Sequence, residues 1–117
     1  MTTWLFEPTV GETAPGDFLE VTMRFEGDVT VCLLSGRLCA YTAPTLDAWL
    51  VQLHDHDRCT VVVDGQDLGS ISSDGAGVLV DHAARFRAAG GRLLVRAPSN
   101  PARRVLELCG AGDLLEP

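Results

Sequence analysis

The sequence predicts an α/β domain in which helices pack against a mostly parallel central sheet, in the order β-β-α-β-α-β-α. Short runs of apolar and β-branched residues alternate along the chain with longer segments whose apolar residues recur every three or four positions. Strands that alternate with helices imply parallel pairing. The first two runs are separated only by a turn, which implies an antiparallel hairpin at the edge of the sheet.

The hairpin is expected at the start of the domain. Apolar residues occupy every second position from Leu19 to Phe25, which is the pattern of a strand with one exposed face. A turn at Gly27-Asp28 leads into a second, apolar strand over Val29–Leu34. We expect residues 18–117 to form one domain and residues 1–17 to form an N-terminal arm.

Each helix has a start signal and an apolar stripe. The first helix is expected near Thr42, the second at Ser73 or Asp74, and the third after a cap at Ser99 or Asn100. The residues expected to face the sheet are Leu46, Trp49, Leu50 and Leu53 on the first helix, Leu79, Ala83 and Phe86 on the second, and Ala102, Val105, Leu106 and Cys109 on the third.

The remaining strands are short and apolar. Thr60–Val63 is a β-branched run of the buried type, and Leu93–Val95 follows the glycines that end the second helix. Between Val63 and the second helix we expect a short loop. Asp64 and Asp67 flank this turn, where an acid can bind a metal or ligand but more often caps the turn, and we expect the cap.

Composition limits the function classes. The chain has 117 residues, 46% of them hydrophobic, and a net charge of −7. A negative chain is a poor ligand for nucleic acid or an anionic membrane surface. There is no apolar run of about 20 residues that could span a bilayer. The N-terminus lacks the basic start and apolar core of a signal peptide, so a cytoplasmic location is expected.

Metal, cofactor and catalytic signals are weak. The four cysteines form no CxxC pair, so we expect reduced thiols that act as small buried hydrophobes, although the neighbours of Cys39 suggest that it is exposed. The HDHD run at 54–57 lies between a helix and a strand, where solvated polar residues are common. Glycines near Asp74 form neither a phosphate loop nor a dinucleotide fingerprint. Gly75 and Gly77 are expected to let the helix start approach other backbone. We therefore expect neither an enzyme nor a cofactor or metal site.

One segment stands out as a candidate switch. Ser72 and Ser73 lie at the predicted start of the second helix, where unpaired backbone N–H groups and the helix dipole favour negative charge. A phosphate added there would change what this surface binds.

Three segments carry a family resemblance. GRLCAYTAPTL (36–46), VVVDGQDLGSISSDGAGVL (61–79) and AAGGRLLVRAPSNPARRVLELCG (88–110) resemble the STAS domain, and most closely the bacterial anti-sigma factor antagonists. The resemblance covers about residues 18–117. It implies a transcription regulator whose partners are an anti-sigma factor with serine kinase activity and a serine phosphatase. In that family, phosphorylation of the second Ser of an Asp-Ser-Ser-Gly motif controls binding to the anti-sigma factor.

The chain departs from the family motif. Without gaps, Asp-Ser-Ser-Gly falls on Ser72-Ser73-Asp74-Gly75, so the acceptor position is Asp74. Cys39 stands where the family places an acid close to the acceptor. The resemblance therefore implies a partner surface made of Cys39, Ser72, Ser73, Asp74 and Gly75, with Ser73 as the candidate for phosphorylation.

Three interpretations of this site stay open at the sequence level. Asp74 acts as a fixed, partial mimic of phosphoserine, or Ser73 is a displaced acceptor, or Ser73 only caps the helix and no switch exists. A second function class also stays open. The chain could be a STAS adaptor, such as a small subunit of a lipid-transport ATPase or a stressosome-like scaffold, which needs the surface but no phosphoacceptor.

Overall fold

The computed structural model describes residues 19–115. Its elements, in chain order, are β1 (Leu19–Glu26), β2 (Val29–Leu38), α1 (Ala43–Asp55), β3 (Thr60–Ile71), α2 (Ser73–Ala88), β4 (Arg92–Arg96) and α3 (Asn100–Leu108). A 3₁₀ turn, Gly112–Leu114, follows α3. The predicted α/β class and element order are confirmed. The predicted arm, 1–17, lies outside the described residues, and its boundary with the domain stays a prediction.

The sheet has the strand order β1-β2-β3-β4. β1 and β2 are antiparallel, with Glu26 opposite Val29 across the predicted Gly27-Asp28 turn. Gly27 has φ +62°, a conformation that glycine adopts without strain. β2 pairs with β3, and β3 with β4, in parallel. The expected antiparallel edge on a parallel sheet is therefore present.

One face of the sheet carries the core. Cys32, Val63 and Val95 are neighbours in register on β2, β3 and β4, and all three are buried. The predicted stripes of α1 and α2 pack on this face, with Leu50 and Phe86 fully buried, except that Trp49 is only half-buried and is not part of this core. Such interdigitated aliphatic packing is the main favourable term that stabilises the fold.

β3 is longer than its sequence pattern indicates. The expected loop after Val63 is wrong, because β3 continues to Ile71 and stays paired with β2. The pairing has two register shifts, between Leu33 and Ser35 and between Gly36 and Arg37 of β2. Each shift places an extra residue in β3, which interrupts the period of two that identifies a strand. Asp64 Oδ1 accepts a hydrogen bond from the backbone N–H of Gln66 at 3.0 Å. This contact is the Asx turn expected of Asp64, but it is made at an irregularity inside β3 and not in a loop.

The cysteines differ more in environment than predicted. Cys32 is fully buried, and burial raises the pKa of its thiol to about 12. Cys39 and Cys59 are half-buried, so the exposure expected of Cys39 is wrong, and Cys109 is the exposed thiol among the described cysteines. The inward position predicted for Cys109 is wrong because α3 ends at Leu108, and Cys109 is the C-cap beyond the helical repeat.

Among residues 19–115, no helix is long and apolar enough to cross a membrane.

Candidate functional site

The start of α2 lies beside the ends of the two central strands. The backbone N–H of Ser72 donates to the carbonyl oxygen of Leu38, the last residue of β2, at 2.8 Å. Leu38 also pairs with Ile71 at the end of β3. The sheet therefore fixes the position of the predicted Ser72–Gly75 site directly.

Ser72, and not Ser73, caps the helix. Ser72 has an extended backbone, and its Oγ accepts a hydrogen bond from the N–H of Gly75 at 3.2 Å. This contact satisfies one of the unpaired donors of the first helical turn. The hypothesis that Ser73 is the capping residue is therefore wrong.

Gly75 is required by close packing, whereas Gly77 is not. An ideal Cβ on Gly75 would lie 2.5 Å from Cγ of Leu38 and 3.0 Å from its carbonyl oxygen. Leu38 is fully buried and has no room to move away. At Gly77 the corresponding position has no atom within 4 Å. The expected close approach is thus correct for Gly75 and wrong for Gly77.

The loop that carries Cys39 is ordered by Thr42. Thr42 Oγ1 accepts a hydrogen bond from the backbone N–H of Cys39 at 2.9 Å and donates to the carbonyl oxygen of Arg37 at 2.7 Å. Thr42 precedes α1 as predicted, but its side chain makes no capping bond to the helix. Instead, it holds Cys39 next to Leu38 and hence near the start of α2.

Ser73 and Asp74 form the exposed part of the site. Both are exposed, at the first two positions of α2. The carboxylate of Asp74 lies in the first helical turn, where the positive end of the helix dipole stabilises it. This surface therefore presents one permanent negative charge and one hydroxyl.

A groove between α1 and α2 adjoins Asp74. Its volume is about 370 Å³, and its lining consists of Ala40, Ala43, Pro44, Asp47, Asp74 and Val78. Apart from Ala40, which precedes α1, the lining follows one stripe of α1 and one stripe of α2, since residues three or four apart share a helix face. We refer to it as the α1–α2 groove.

Sequence reasoning did not identify Asp47 or its partner. Nε2 of His82 on α2 lies 2.6 Å from Oδ1 of Asp47 on α1. His82 is only 1% exposed. Because a carboxylate accepts hydrogen bonds, Nε2 is the donor. The sequence offered one signal that His82 is buried, namely its position in the apolar stripe of α2 between Leu79 and Phe86.

The HDHD run does not form a cluster with other ligands. Asp55, His56 and Asp57 are exposed where α1 ends, and Nδ1 of His56 lies 2.8 Å from the carbonyl oxygen of Gln52. Within residues 19–115, no group of three or more His, Cys, Asp or Glu side chains is arranged to hold a metal ion.

Known proteins with a similar sequence pattern or structure share this fold. A family model described as "Mlab, STAS domain" matches residues 21–116. No curated protein sequence matches the chain. An anti-sigma factor antagonist from Mycobacterium paratuberculosis has a similar structure, at 22% identity and a TM-score of 0.79, with 91% of each chain covered.

Two structures of SpoIIAA are also similar. The anti-sigma factor antagonist SpoIIAA in its unphosphorylated form is 19% identical, with a TM-score of 0.74 over 83% of this chain and 86% of that chain. The Bacillus cell fate determinant SpoIIAA in its phosphorylated form is 19% identical, with a TM-score of 0.68 over 83% and 89%. At these identities the likeness shows a shared fold.

The chain belongs to the STAS domain family, because the family model covers nearly the whole described domain. The resemblance found in its sequence segments is thus confirmed, and the structures of anti-sigma factor antagonists share its fold.

Proposed function

We propose that this chain is a regulatory binding protein of the anti-sigma factor antagonist type. It binds an anti-sigma factor with serine kinase activity, in the cytoplasm, through the exposed start of α2. The observation that carries the proposal is the placement of Ser73 and Asp74. Both are exposed on a helix start that the Ser72–Leu38 hydrogen bond and the close approach of Gly75 hold against the sheet.

The charge at this site supports a fixed state. Ser72 is the cap, so Ser73 is not needed for that role. Asp74 carries −1 at the position of the family acceptor, compared with about −1.5 to −2 for a phosphoserine. A phosphate on Ser73 would be opposed by the negative charge of the neighbouring Asp74. Because this charge is smaller than that of a phosphate, we propose that the Asp74 surface still binds the partner and that the kinase no longer controls binding.

The test begins with the partner. The tagged full chain would be used to capture proteins from its own cells, and an ATP-binding anti-sigma factor is the expected partner. Its affinity would then be measured for the wild type, Asp74→Arg and Asp81→Arg. Asp81 is an exposed carboxylate on the same helix. Asp74→Arg should weaken binding by about tenfold or more, and Asp81→Arg by less than about twofold. Equal effects of the two variants would contradict the proposed surface.

The switch needs its own experiment. The captured anti-sigma factor would be incubated with labelled ATP and with the wild type, Asp74→Ser or Asp74→Ala. Phosphate uptake by Asp74→Ser alone, mapped to position 74, is expected for a fixed state built on the family site. Uptake by the wild type at Ser73 would show a displaced but working switch instead.

A STAS adaptor is the second candidate, and Asp74 is the observation that favours it. An adaptor needs a binding surface but no phosphoacceptor, and the acceptor position here holds a residue that a serine kinase cannot modify. Capture of a transporter ATPase in place of an anti-sigma factor would support this candidate.

A further inference from the structure

The α1–α2 groove combines apolar walls with two carboxylates. Four of the six residues that line it, Ala40, Ala43, Pro44 and Val78, are apolar. The other two are Asp47 from α1 and Asp74 from α2, so each helix contributes one negative charge. Among residues 19–115, no Arg side chain lines the groove.

Asp47 is held in place by a buried group. His82 donates to Oδ1 of Asp47 from a site that is 1% exposed, whereas the Asp47 side chain is 53% exposed. The hydrogen bond restricts the rotamers of Asp47 and leaves its carboxylate accessible. A ligand that binds this carboxylate therefore loses less conformational freedom than one that binds a free surface aspartate.

We propose that the α1–α2 groove accepts an arginine side chain from the partner protein. The guanidinium donates to Asp47 and Asp74, and the aliphatic stem packs on Ala43 and Val78. The inference deepens the proposed function and rests on it for the identity of the partner as an anti-sigma factor. It adds Asp47, which the family motif does not include, to the binding surface.

Charge and shape favour arginine over other occupants. Two carboxylates repel phosphate and acidic peptides. Guanidinium is planar, weakly hydrated and carries five donors, so it can bind two carboxylates while it packs on apolar side chains. The ammonium of lysine is more strongly hydrated and offers a point charge, which suits an apolar groove less well.

The first test uses a defined probe. The full chain would be titrated with N-acetyl-arginine amide and, separately, with the uncharged isostere N-acetyl-citrulline amide, while NMR shifts of the Ala43 and Val78 methyl groups are followed. Saturable shifts with arginine, and at least about tenfold weaker binding of citrulline, are expected because a charge-assisted pair is lost. Equal binding of the two probes, or shifts with neither, would overturn the proposal.

Substitutions then test how much each carboxylate contributes to arginine binding. Asp47→Asn keeps an oxygen that can accept from His82, so it removes the charge and preserves the contact between the helices. Asp47→Asn and Asp74→Asn should each weaken arginine binding by about tenfold, whereas Asp81→Asn should leave it unchanged. Full retention of binding by Asp47→Asn would overturn the role of Asp47.

The same variants separate this inference from the proposed function. If an anti-sigma factor binds the wild type and Asp47→Asn equally well, the proposed function stands and the arginine site is wrong. If the arginine probe binds but no anti-sigma factor does, the groove chemistry is correct and the partner is of another class.

Discussion

Nε2 of His82, a histidine buried in α2, donates a hydrogen bond to Oδ1 of Asp47 on α1 at 2.6 Å. The two residues are 35 positions apart in the chain, so this hydrogen bond is a long-range contact that joins α1 to α2. The imidazole also lies against the ring of Phe86, with ring centroids 6.4 Å apart. One side of the α1–α2 groove is therefore ordered by a group that solvent does not reach.

Removal of the Asp47 carboxylate should destabilise the domain. Asp47→Ala leaves Nε2–H of His82 buried without an acceptor, which costs about 1–3 kcal/mol in the free energy of unfolding. Asp47→Asn should recover most of this loss, and Asp81→Ala should change stability by less than about 0.5 kcal/mol. Urea denaturation of the three variants checks the prediction. Equal stabilities of Asp47→Ala and Asp81→Ala would show that the hydrogen bond contributes little.

Substitution by alanine should change the stability of the domain in opposite directions at the two glycines of α2. Gly75→Ala forces a methyl group against buried Leu38, and overpacking of this kind typically costs about 1–3 kcal/mol. Gly77→Ala has open space and should stabilise the helix by about 0.5–1 kcal/mol. Thermal denaturation of this matched pair is the measurement. A loss of stability in Gly77→Ala would contradict the packing described for α2.

Substitution by alanine should lower the stability of the domain at Ser72 but hardly at Ser73. Ser72→Ala removes the side-chain acceptor of the Gly75 N–H and should lower stability by about 1 kcal/mol. Ser73→Ala, at an exposed position, should change stability by less than about 0.5 kcal/mol. Chemical denaturation distinguishes the two. The reverse order would restore Ser73 as the cap.

Ala97 is a candidate for stabilisation. It is exposed and has φ +51°, a left-handed conformation that costs about 1–2 kcal/mol for a residue with a Cβ. Ala97→Gly removes this strain, although the greater freedom of glycine in the unfolded chain offsets part of the gain, so a net increase of up to about 1 kcal/mol is expected. Ala84→Gly, at an exposed site within α2, should lower stability by about 1 kcal/mol and serves as the control.

Much of the fold could be predicted because its signals are local. The hairpin turn at Gly27-Asp28 and the buried stripes of α1 and α2 depend on neighbouring residues, and the structure confirms them except at Trp49. The second half of β3 could not be predicted from alternation, since its two register shifts break the period of two. Its burial depends on pairing with β2, a contact between residues far apart in the chain.

The candidate site also combines features with local sequence signals and features that depend on long-range packing. The start of α2 near Ser73 was predictable from a polar cluster that precedes a helical repeat. The assignment of the cap to Ser72 depends on its hydrogen bond with the N–H of Gly75, a contact that the residue types alone do not distinguish from a cap at Ser73. Asp47 joins the site only through the packing of α1 on α2, and an isolated acid on a helix has no sequence signature for that role.

The attachment of Ser72 and Gly75 to Leu38 has a thermodynamic consequence. Leu38 lies in the fully buried core, so the first turn of α2 cannot open locally without disturbing the centre of the sheet. Occupancy of this surface is therefore coupled to global unfolding, and a bound partner should raise the melting temperature of the entire domain in proportion to the logarithm of its concentration.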